Sequence, residues 1–507
     1  MTLDLWYYHP AVLYAFATLL GSIFALYSLG PFFIAFSILL LIFPFFSLTL
    51  HAAHLRLLLA LVLGTAIFCL TSARTHFPED NTVKTGIADV EIASVKLTKT
   101  PFGLMWNYKG TLKYFFQEGI SVAKEIPVLI SIPFDKESSR PAADARYQFP
   151  AKLKTSDHGK YIISPDKKES WQIQSKLFNL AEWRYSAKSA VQNYIQKSVR
   201  NTHVGAFLSG MATGEFDDRL LAYELSRFGL QHLMAISGLH FSVISAFFAL
   251  TLGLFFSRNT AGLITIALMS VYFIFLGASA SVARAWIAIV IALASLLIQR
   301  RSFSFNTLGI ATLIVILRDP LLVEDIGFQF SFGVTAAILL WFSPCNSLLQ
   351  GLFAKRRLSK VMTMDYWDQH GYCVLYFLRE GLALCLAVNL VALPLTLYHF
   401  HSFPLMSFVY NLFFPVLVSI SLMLLMTASA LTIILPLIGS KLHHLNESYT
   451  HFVLNFAFNL PKSFDAAWKI NGIPKEALLL YLLAIFALGM FLRTCSKSKV
   501  QSNFEFF

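Results

Sequence analysis

From residue 232 to residue 493 the chain is a near-unbroken series of apolar runs, most of them close to a bilayer in length. A helix needs about 20 consecutive apolar residues to cross the hydrocarbon core. The runs at 232–256, 261–277, 283–298, 327–343, 374–399 and 476–492 meet or approach that requirement. The run at 306–317 is short and reads as a partial or re-entrant segment, while 405–436 is too long for one simple span and reads as a bent pair. Three further runs open the chain, at 11–29, 32–50 and 55–70; the first two are joined only by Gly30 and Pro31, as a tight helical hairpin. The opening MTLDLWYYHP lacks the basic lead of a cleavable signal, so the first run is expected to remain as an anchor. Hydrophobic residues make up 56% of the chain and charged residues 13%, against about 25% charged in a soluble domain. The expected fold class is a polytopic α-helical membrane protein of about 10–12 spans, with charge gathered in its few water-exposed parts.

Residues 72–204 break the pattern. They hold 20 of the 40 Lys and Arg and 13 of the 28 acids, and no run able to span. TGIADVEIASVKL, IPVLISIP, RYQFPAKLKT, KYIISP and SWQIQ alternate apolar and polar residues between Pro, Gly and Asp, which predicts a small inserted all-β domain, sandwich or barrel. Its basic surplus reads either as ordinary solvated surface or as a footprint for a polyanion. From 177 to 199 the pattern turns helical, with Leu177, Leu180, Trp183, Tyr185, Ala187 and Val191 among basic residues, as in a helix lying at the membrane interface. The whole chain carries +12, which suits anionic partners, lipid headgroups or nucleic acid, without choosing between them. Five scattered cysteines with no CxxC pair predict neither a disulfide framework nor a zinc site.

Short basic loops favour the cytoplasm. QRRS (299–302), AKRRLSK (354–360) and RTCSKSK (493–499) are basic, while DPLLVED (319–325) is acidic and lies one crossing away. This predicts an extracytoplasmic β domain on a multi-pass protein of the cytoplasmic (inner) membrane.

Polar residues at membrane depth ask for a partner or a watery cavity. Arg284 in SVARAWIAIVIALASLLI either lines such a cavity or snorkels to a helix end. Arg379 and Glu380 can pair with each other's neighbours at a helix start, and Gln329, Ser331, Asn389 and Asn411 can hydrogen-bond between helices. Their concentration beside Pro394, Pro404 and Pro415 suggests broken helices around an aqueous passage. GLQHLMAISGLHFSV (229–243) adds His232, Ser237, Gly238 and His240. On one continuous helix His232 and His240 would sit about 80° apart, with Ser237 about 60° beyond, sharing a broad face. Packing, conduit lining and a Ser–His hydrolytic pair all remain open, the last weakened because Ser237 and His240 are so close in sequence. GxxxxGK[ST] and HExxH are absent, and the His pair of HFHS (399–402) lacks a following HxHxDH.

The stretch FLSGMATGEFDDRLLAYELSRFGLQHLMAISGLHFSV (207–243) resembles the competence-domain signature of the ComEC-type DNA-uptake channel proteins of natural transformation. Its most specific part runs from Gly229 through His232 and Ser237-Gly238 to His240. ASASVARAWIAI (278–289), RDPLLVEDIGFQFSF (318–332, with Pro320 and Gly327) and LPLTLYHFHSFPLMSFVYNLFFPVLV (393–418, with Pro394 and Pro415) resemble further family elements, in family order. The resemblance implies an OB-like fold for the β domain, with Tyr114, Phe115, Phe116, Tyr147, Phe149, Tyr161 and Trp171 available to stack on bases. It implies a channel for single-stranded DNA, with His232, His240, Arg284, Gln329, Ser331, Asn389 and Asn411 along the path and Ser237-Gly238 as a close helix contact. Many members continue into a metallo-β-lactamase-like domain; this chain ends at Phe507 without its motif, so no nuclease activity and no cofactor are expected, and any nuclease acts in trans. An extracytoplasmic DNA receptor, a cytoplasmic motor or helicase and membrane lipids are the expected partners, and a homo-oligomer is compatible with them. The alternatives are an intramembrane serine hydrolase and a small-solute transporter. The expected domains are 1–71 (three membrane helices), 72–175 (OB-like), 176–204 (amphipathic connector), 205–493 (channel) and 494–507 (basic tail).

Overall fold

The computed structural model describes residues 9–26, 51–75, 82–100, 103–134, 140–155, 161–166, 171–176, 180–216, 218–356, 358–459, 461 and 466–502. The expected span at 32–50 and Leu177 lie outside them.

Period-two alternation sends every second side chain of the β domain inward. The strands are β1 (Lys84–Thr100), β2 (Gly103–Gln117), β3 (Ile120–Pro133), β4 (Ala145–Thr155), β5 (Tyr161–Pro165) and β6 (Gln172–Lys176). Their order is β1-β2-β3-β5-β4, β4 pairs back onto β1, and β6 extends β4, so the first five strands close a barrel. The β3–β5 pairing is parallel and the others antiparallel. Ala88, Val90 and Ile92, Ile126, Val128 and Ile130, and Tyr147, Phe149, Ala151 and Leu153 fill the interior at alternate positions. β1 serves two partners by bending at register shifts beside Val90 and Ser94. Gly110 lets β2 follow this bend, since a Cβ there would stand 2.4 Å from the Glu91 carbonyl oxygen.

Trp171 stacks on Phe149 with ring centres 4.2 Å apart. The helix α1 (Pro10–Leu26) and α2 (His51–Arg74) precede the barrel, and α3 (Ala181–Ser198) follows and seals it. Ala181 enters the barrel core, and Arg140 lies 4.9 Å from the Trp106 ring centre and 4.6 Å from that of Tyr185. Glu182 accepts from Arg140 and, at 2.9 Å, from the Ala143 amide. Burial pushes the nearby Tyr108 hydroxyl up to about 12.

The membrane block continues with α4 (Thr202–Thr213), α5 (Arg219–Arg227), a 3-10 turn (Gln231–Leu233), α6 (Gly238–Gly253), α7 (Arg258–Leu276), α8 (Ala280–Leu297) and α9 (Ser304–Arg318). A second 3-10 turn (Pro320–Glu324), α10 (Ile326–Leu349), α11 (Leu358–Met362), α12 (Tyr366–Phe400), β7 (Ser402–Pro404), α13 (Ser407–Ile434), α14 (Pro436–Phe458), β8 (Ala467–Lys469) and α15 (Lys475–Ser502) complete it. Among the described residues seven helices are long and apolar enough to cross a membrane, within α2, α7, α8, α10, α12, α13 and α15; α1, α6 and α9 are shorter apolar helices.

Several expectations change. The region 405–436 is not a bent pair but one helix, α13, followed by a helix the sequence reading missed, α14. The face that α14 buries consists of His443, Asn446, Glu447 and Thr450 before Val453 and Leu454, so a hydropathy sum passes over it. Thr450 Oγ1 donates to Ser421 Oγ at 3.0 Å and the Tyr449 hydroxyl to the Leu417 carbonyl at 3.1 Å, closing an α13–α14 hairpin. The helices run through Pro394 and Pro415 rather than breaking there. α9, at 15 residues, is a whole helix of about 22 Å, short of the roughly 30 Å core. Arg379 and Glu380 lie in the middle of α12 rather than at a helix start and pair with each other at 3.0 Å; Arg379 also donates to the Phe353 carbonyl at 3.1 Å, fastening the turn after α10.

Contacts at helix ends sort the block into two faces. On the barrel's face, Lys96 Nζ donates to the Phe216 carbonyl and Lys188 Nζ to the Leu276 carbonyl. Gln329 donates to the Val323 carbonyl and accepts from His399, which brings β7 to that face, and β8 pairs with β7. On the opposite face His9 packs on Phe303 and Phe305, and Arg493 lies over Phe305.

Burial alone would raise the Glu182 carboxyl; the Arg140 and Ala143 hydrogen bonds outweigh it and hold the group below the ordinary carboxylate range. A carboxyl held low adds stability above its unfolded value and loses it as pH falls through its folded value. Glu182→Gln should therefore speed hydrogen exchange at the Ala143 amide at neutral pH. The expected size is on the order of 1 kcal/mol, discounted because the 32%-exposed Glu182 side chain is partly screened by water. The difference from the parent chain should close as pH falls below about 4.

Candidate functional site at the head of the membrane block

Gly229 turns the chain at φ +70°, and a Cβ there would stand 2.5 Å from Ser407 Cβ, so the turn lies flush on the start of α13. After Gln231–Leu233 the backbone does not continue as a helix. Ser237 is extended (φ −102°, ψ 171°) and caps α6, which begins at Gly238. The single helical face expected for His232, Ser237 and His240 therefore does not form. His232 is exposed and His240 buried.

His240 Nδ1 accepts from the Ser237 amide at 3.1 Å and lies 3.0 Å from Ser237 Oγ. An accepting Nδ1 leaves the ring proton on Nε2, which faces Met211 Sδ at 3.3 Å. A hydrolytic base would have that nitrogen oriented by a hydrogen-bond acceptor such as a carboxylate. Here a thioether stands in its place, and the arrangement is a helix cap that ties α6 to α4.

Gly238 admits Arg284. A Cβ at 238 would meet Arg284 Nη2 at 3.2 Å, so the guanidinium rests over the first turn of α6. Arg284 Nε donates to Ser331 Oγ at 2.7 Å, Ser331 to Ser281 Oγ at 3.3 Å, and Ser281 to the Ile236 carbonyl at 3.3 Å. This chain of hydroxyls joins α8, α10 and the turn before α6. Among the described residues no acid pairs with Arg284. Arg284 lines a cleft of about 190 Å³ in which Ser302, Ser304, Thr307 and Thr335 stand among Ala288, Ala292, Leu308, Ala311 and Leu339. Positions 284, 288 and 292 are successive turns of one helix face, so the cleft runs about 12 Å along α8 toward the opposite face.

The remaining sequence candidates divide. Gln329 is held between Val323 and His399, and Asn389 donates back to the Cys385 carbonyl of its own helix at 2.8 Å. Asn411 Oδ1 is buried with no hydrogen bond. Pro320 is buried and Asp319 caps its turn; Asp325 caps α10, where Gly327 keeps clear of the Asp325 carboxylate. Sequence reasoning missed Ser281, Ser302, Ser304, Thr307 and Thr335. Ser281 alone had a signal, standing one turn before Arg284. The phenyl groups of Phe115, Tyr147 and Phe149 fill the barrel core and are not free to stack, whereas Tyr114 and Phe116 stack on each other at 5.7 Å, half-buried, with Lys124 Nζ 5.4 Å from the Tyr114 ring.

Fold and site together define a multi-pass membrane protein that carries a separate small β domain before its main helical block. Residues 218–494, more than half of the chain, match the family model described as Competence protein, and the chain belongs to that family. It is similar to ComE operon protein 3 of Bacillus subtilis (strain 168), 28% identical over 197 residues, which are 39% of this chain and 22% of that protein. The match thus spans less than a quarter of that relative's length. No solved structure matches.

Ser237→Ala leaves the backbone donor to His240 in place, so it should cost under about 1 kcal/mol and leave activity near the parent level. Ser331→Ala strips the Arg284 Nε of its acceptor and should cost about 1–3 kcal/mol. Protease resistance of the detergent-purified chain measures both. Complete loss of activity in Ser237→Ala, with the protein folded and abundant, would restore the hydrolytic reading.

Proposed function

We propose that this chain is an inner-membrane channel for uptake of single-stranded DNA in natural transformation. Membership of the Competence protein family supports the process, and the observation that carries the chemistry is Arg284. An arginine with no acidic partner among the described residues, at the head of a cleft whose mostly apolar lining includes Ser302, Ser304, Thr307 and Thr335, suits a ligand that brings its own negative charge. A phosphodiester does so, and the contact must be weak enough to release it.

The barrel supports the same reading. A strand order of β1-β2-β3-β5-β4 closing on β1 is the arrangement expected of an OB fold, which binds single strands with basic grooves and aromatic stacking. Tyr114, Phe116 and Lys124 form such a patch. The basic residues at 299–302 and 354–356 lie on the face opposite the barrel, which supports, by the positive-inside rule, a barrel outside and those loops in the cytoplasm. The strand would reach the barrel from an extracytoplasmic receptor and be drawn in by a cytoplasmic motor, with any nuclease in trans. The domains at 72–175 and 205–493 are then receiver and channel. On this reading the exposed His232 is a candidate for the mouth, while His240, Gln329 and Asn389 act through the helix contacts that they make.

Arg284→Gln should lower import of labelled DNA by tenfold or more, about 1.4 kcal/mol or above, at unchanged protein level, with Arg284→Lys intermediate. Alanine at Tyr114 and Phe116 should weaken salt-dependent binding of an oligonucleotide to the full chain by about 1–3 kcal/mol per stacked base. Normal DNA import in a deletion strain would overturn the proposal.

A further inference from the structure

The α13–α14 hairpin carries a feature that the Arg284 cleft does not account for. α13 is long and apolar enough to cross the membrane, and α14 packs back along it. β7, just before α13, pairs with β8, just after α14, so the chain returns to the face it left. α14 therefore covers the same depth as α13, yet it has three different faces. His443, Asn446, Glu447, Thr450, Val453 and Leu454 are buried in the molecule. Ile438, Leu445, Phe452 and Phe456 are exposed and apolar, suited to lipid. Between these two faces Lys441, His444, Ser448, His451 and Asn455 are all exposed.

These five residues follow spacings of three and four and fall within an arc of about 80°, a ribbon about 21 Å long. Such a ribbon cannot face hydrocarbon without heavy cost. The end of α3 widens it. Asn201 Nδ2 contacts His451 Nδ1 at 3.3 Å, Tyr194 contacts His443 at 3.2 Å, and Lys197 and Arg200 are exposed alongside. The acid within this wall, Glu447, turns inward: its Oε1 accepts from the Arg200 amide at 3.0 Å and the Asn201 amide at 2.7 Å, and its Oε2 lies 3.6 Å from His444 Nδ1 of the ribbon. Among the described residues Lys197, Arg200 and Lys441 form no ion pair. The wall is thus polar over much of the membrane depth, and Lys197, Arg200 and Lys441 outnumber its one acid, Glu447. The Arg284 cleft has room for several waters or one phosphate, whereas this ribbon can follow an extended chain.

We infer that the ribbon of α14, with the end of α3, is a wall of an aqueous path that contacts the phosphodiester backbone of a single strand. The inference rests on the conduit reading above. Its test uses the full-length chain with the five native cysteines replaced. Single cysteines at Ser448, His451 and Asn455, with controls at Leu445 and Phe452, are treated in membranes with an impermeant anionic thiol reagent. The ribbon positions should react at least about tenfold faster than the controls, and faster with the anionic reagent than with its cationic counterpart. A double Ser448→Glu, His451→Glu variant should import DNA about tenfold less than a Ser448→Gln, His451→Gln variant of equal abundance. Equal reactivity of ribbon and controls, as when a second copy covers the ribbon, overturns the inference. So does wild-type import in the double glutamate variant. If in that case Arg284→Gln still blocks import, the conduit reading stands without this wall; if a deletion strain imports normally, the conduit reading fails by itself.

Discussion

A guanidinium among apolar helices has to be held by something, and the head of the membrane block is arranged around that requirement. Arg284 hands one hydrogen bond to Ser331, which passes the connection through Ser281 to the Ile236 carbonyl. Those contacts join α8, α10 and the segment that leads into α6. The rest of the motif at 229–240 serves the same junction. Gly229 brings its turn onto α13, Ser237 stops the turn and starts α6, and Gly238 leaves space for the guanidinium. A side chain at 238 would press on the guanidinium, which would have to give way by a few tenths of an ångström. Placing a cation over a helix N-terminus is unfavourable for the helix dipole. Such a position is more easily tolerated when an anion visits it.

The second organising constraint is that a bilayer reverses the sidedness of a soluble helix. In water a helix buries its apolar stripe. α14 buries histidine, asparagine, glutamate and threonine and exposes leucine, isoleucine and phenylalanine. The buried polar groups find partners across the hairpin and on the α3–α4 connection, as Thr450 does with Ser421 and Glu447 with two backbone amides. Interhelical hydrogen bonds of this kind are worth roughly 0.6–2 kcal/mol each in membranes. They fix which face of α14 turns inward, and hence which face is left for the polar ribbon.

Much of this was legible in the sequence, in proportion to how local its cause is. Alternation in TGIADVEIASVKL and RYQFPAKLKT gave strands because inward and outward positions differ at every residue. The apolar runs gave most of the helices for the same local reason. The pairing of β1 with β4 that closes the barrel was not legible, since it depends on a bend at Val90 and on the absence of a side chain at Gly110. His232 and His240 looked like neighbours on one helix, and the break at Ser237 separates them into an exposed and a buried residue. Gln329 read as a passage residue, yet its partner, His399, is 70 positions away and takes up its acceptor. Arg284 was found because charge in an apolar run is conspicuous. Its cleft was not, because Ser302, Ser304, Thr307 and Thr335 are ordinary residues until three helices bring them together.

The cations form a graded series from the barrel inward. Lys96 and Lys188 reach carbonyls of the block, and Lys188 is also neutralised by Glu215 at 2.8 Å. Arg184 lies against Gly277, where a Cβ would come within 3.2 Å of its Nη1, and its Nε is buried without a partner. Arg284 follows one turn beyond the start of α8, and Arg300 and Arg301 stand exposed beyond the cleft's far end. Salt screens the exposed charges over about 8 Å at physiological ionic strength but screens buried ones much less. On the proposed reading, then, capture at the barrel and passage at Arg284 respond differently to salt. Capture weakens as counterions compete for the strand, whereas the step at Arg284 depends on desolvating a phosphate and changes little. A conduit built this way separates the affinity that gathers a strand from the contacts that let it move.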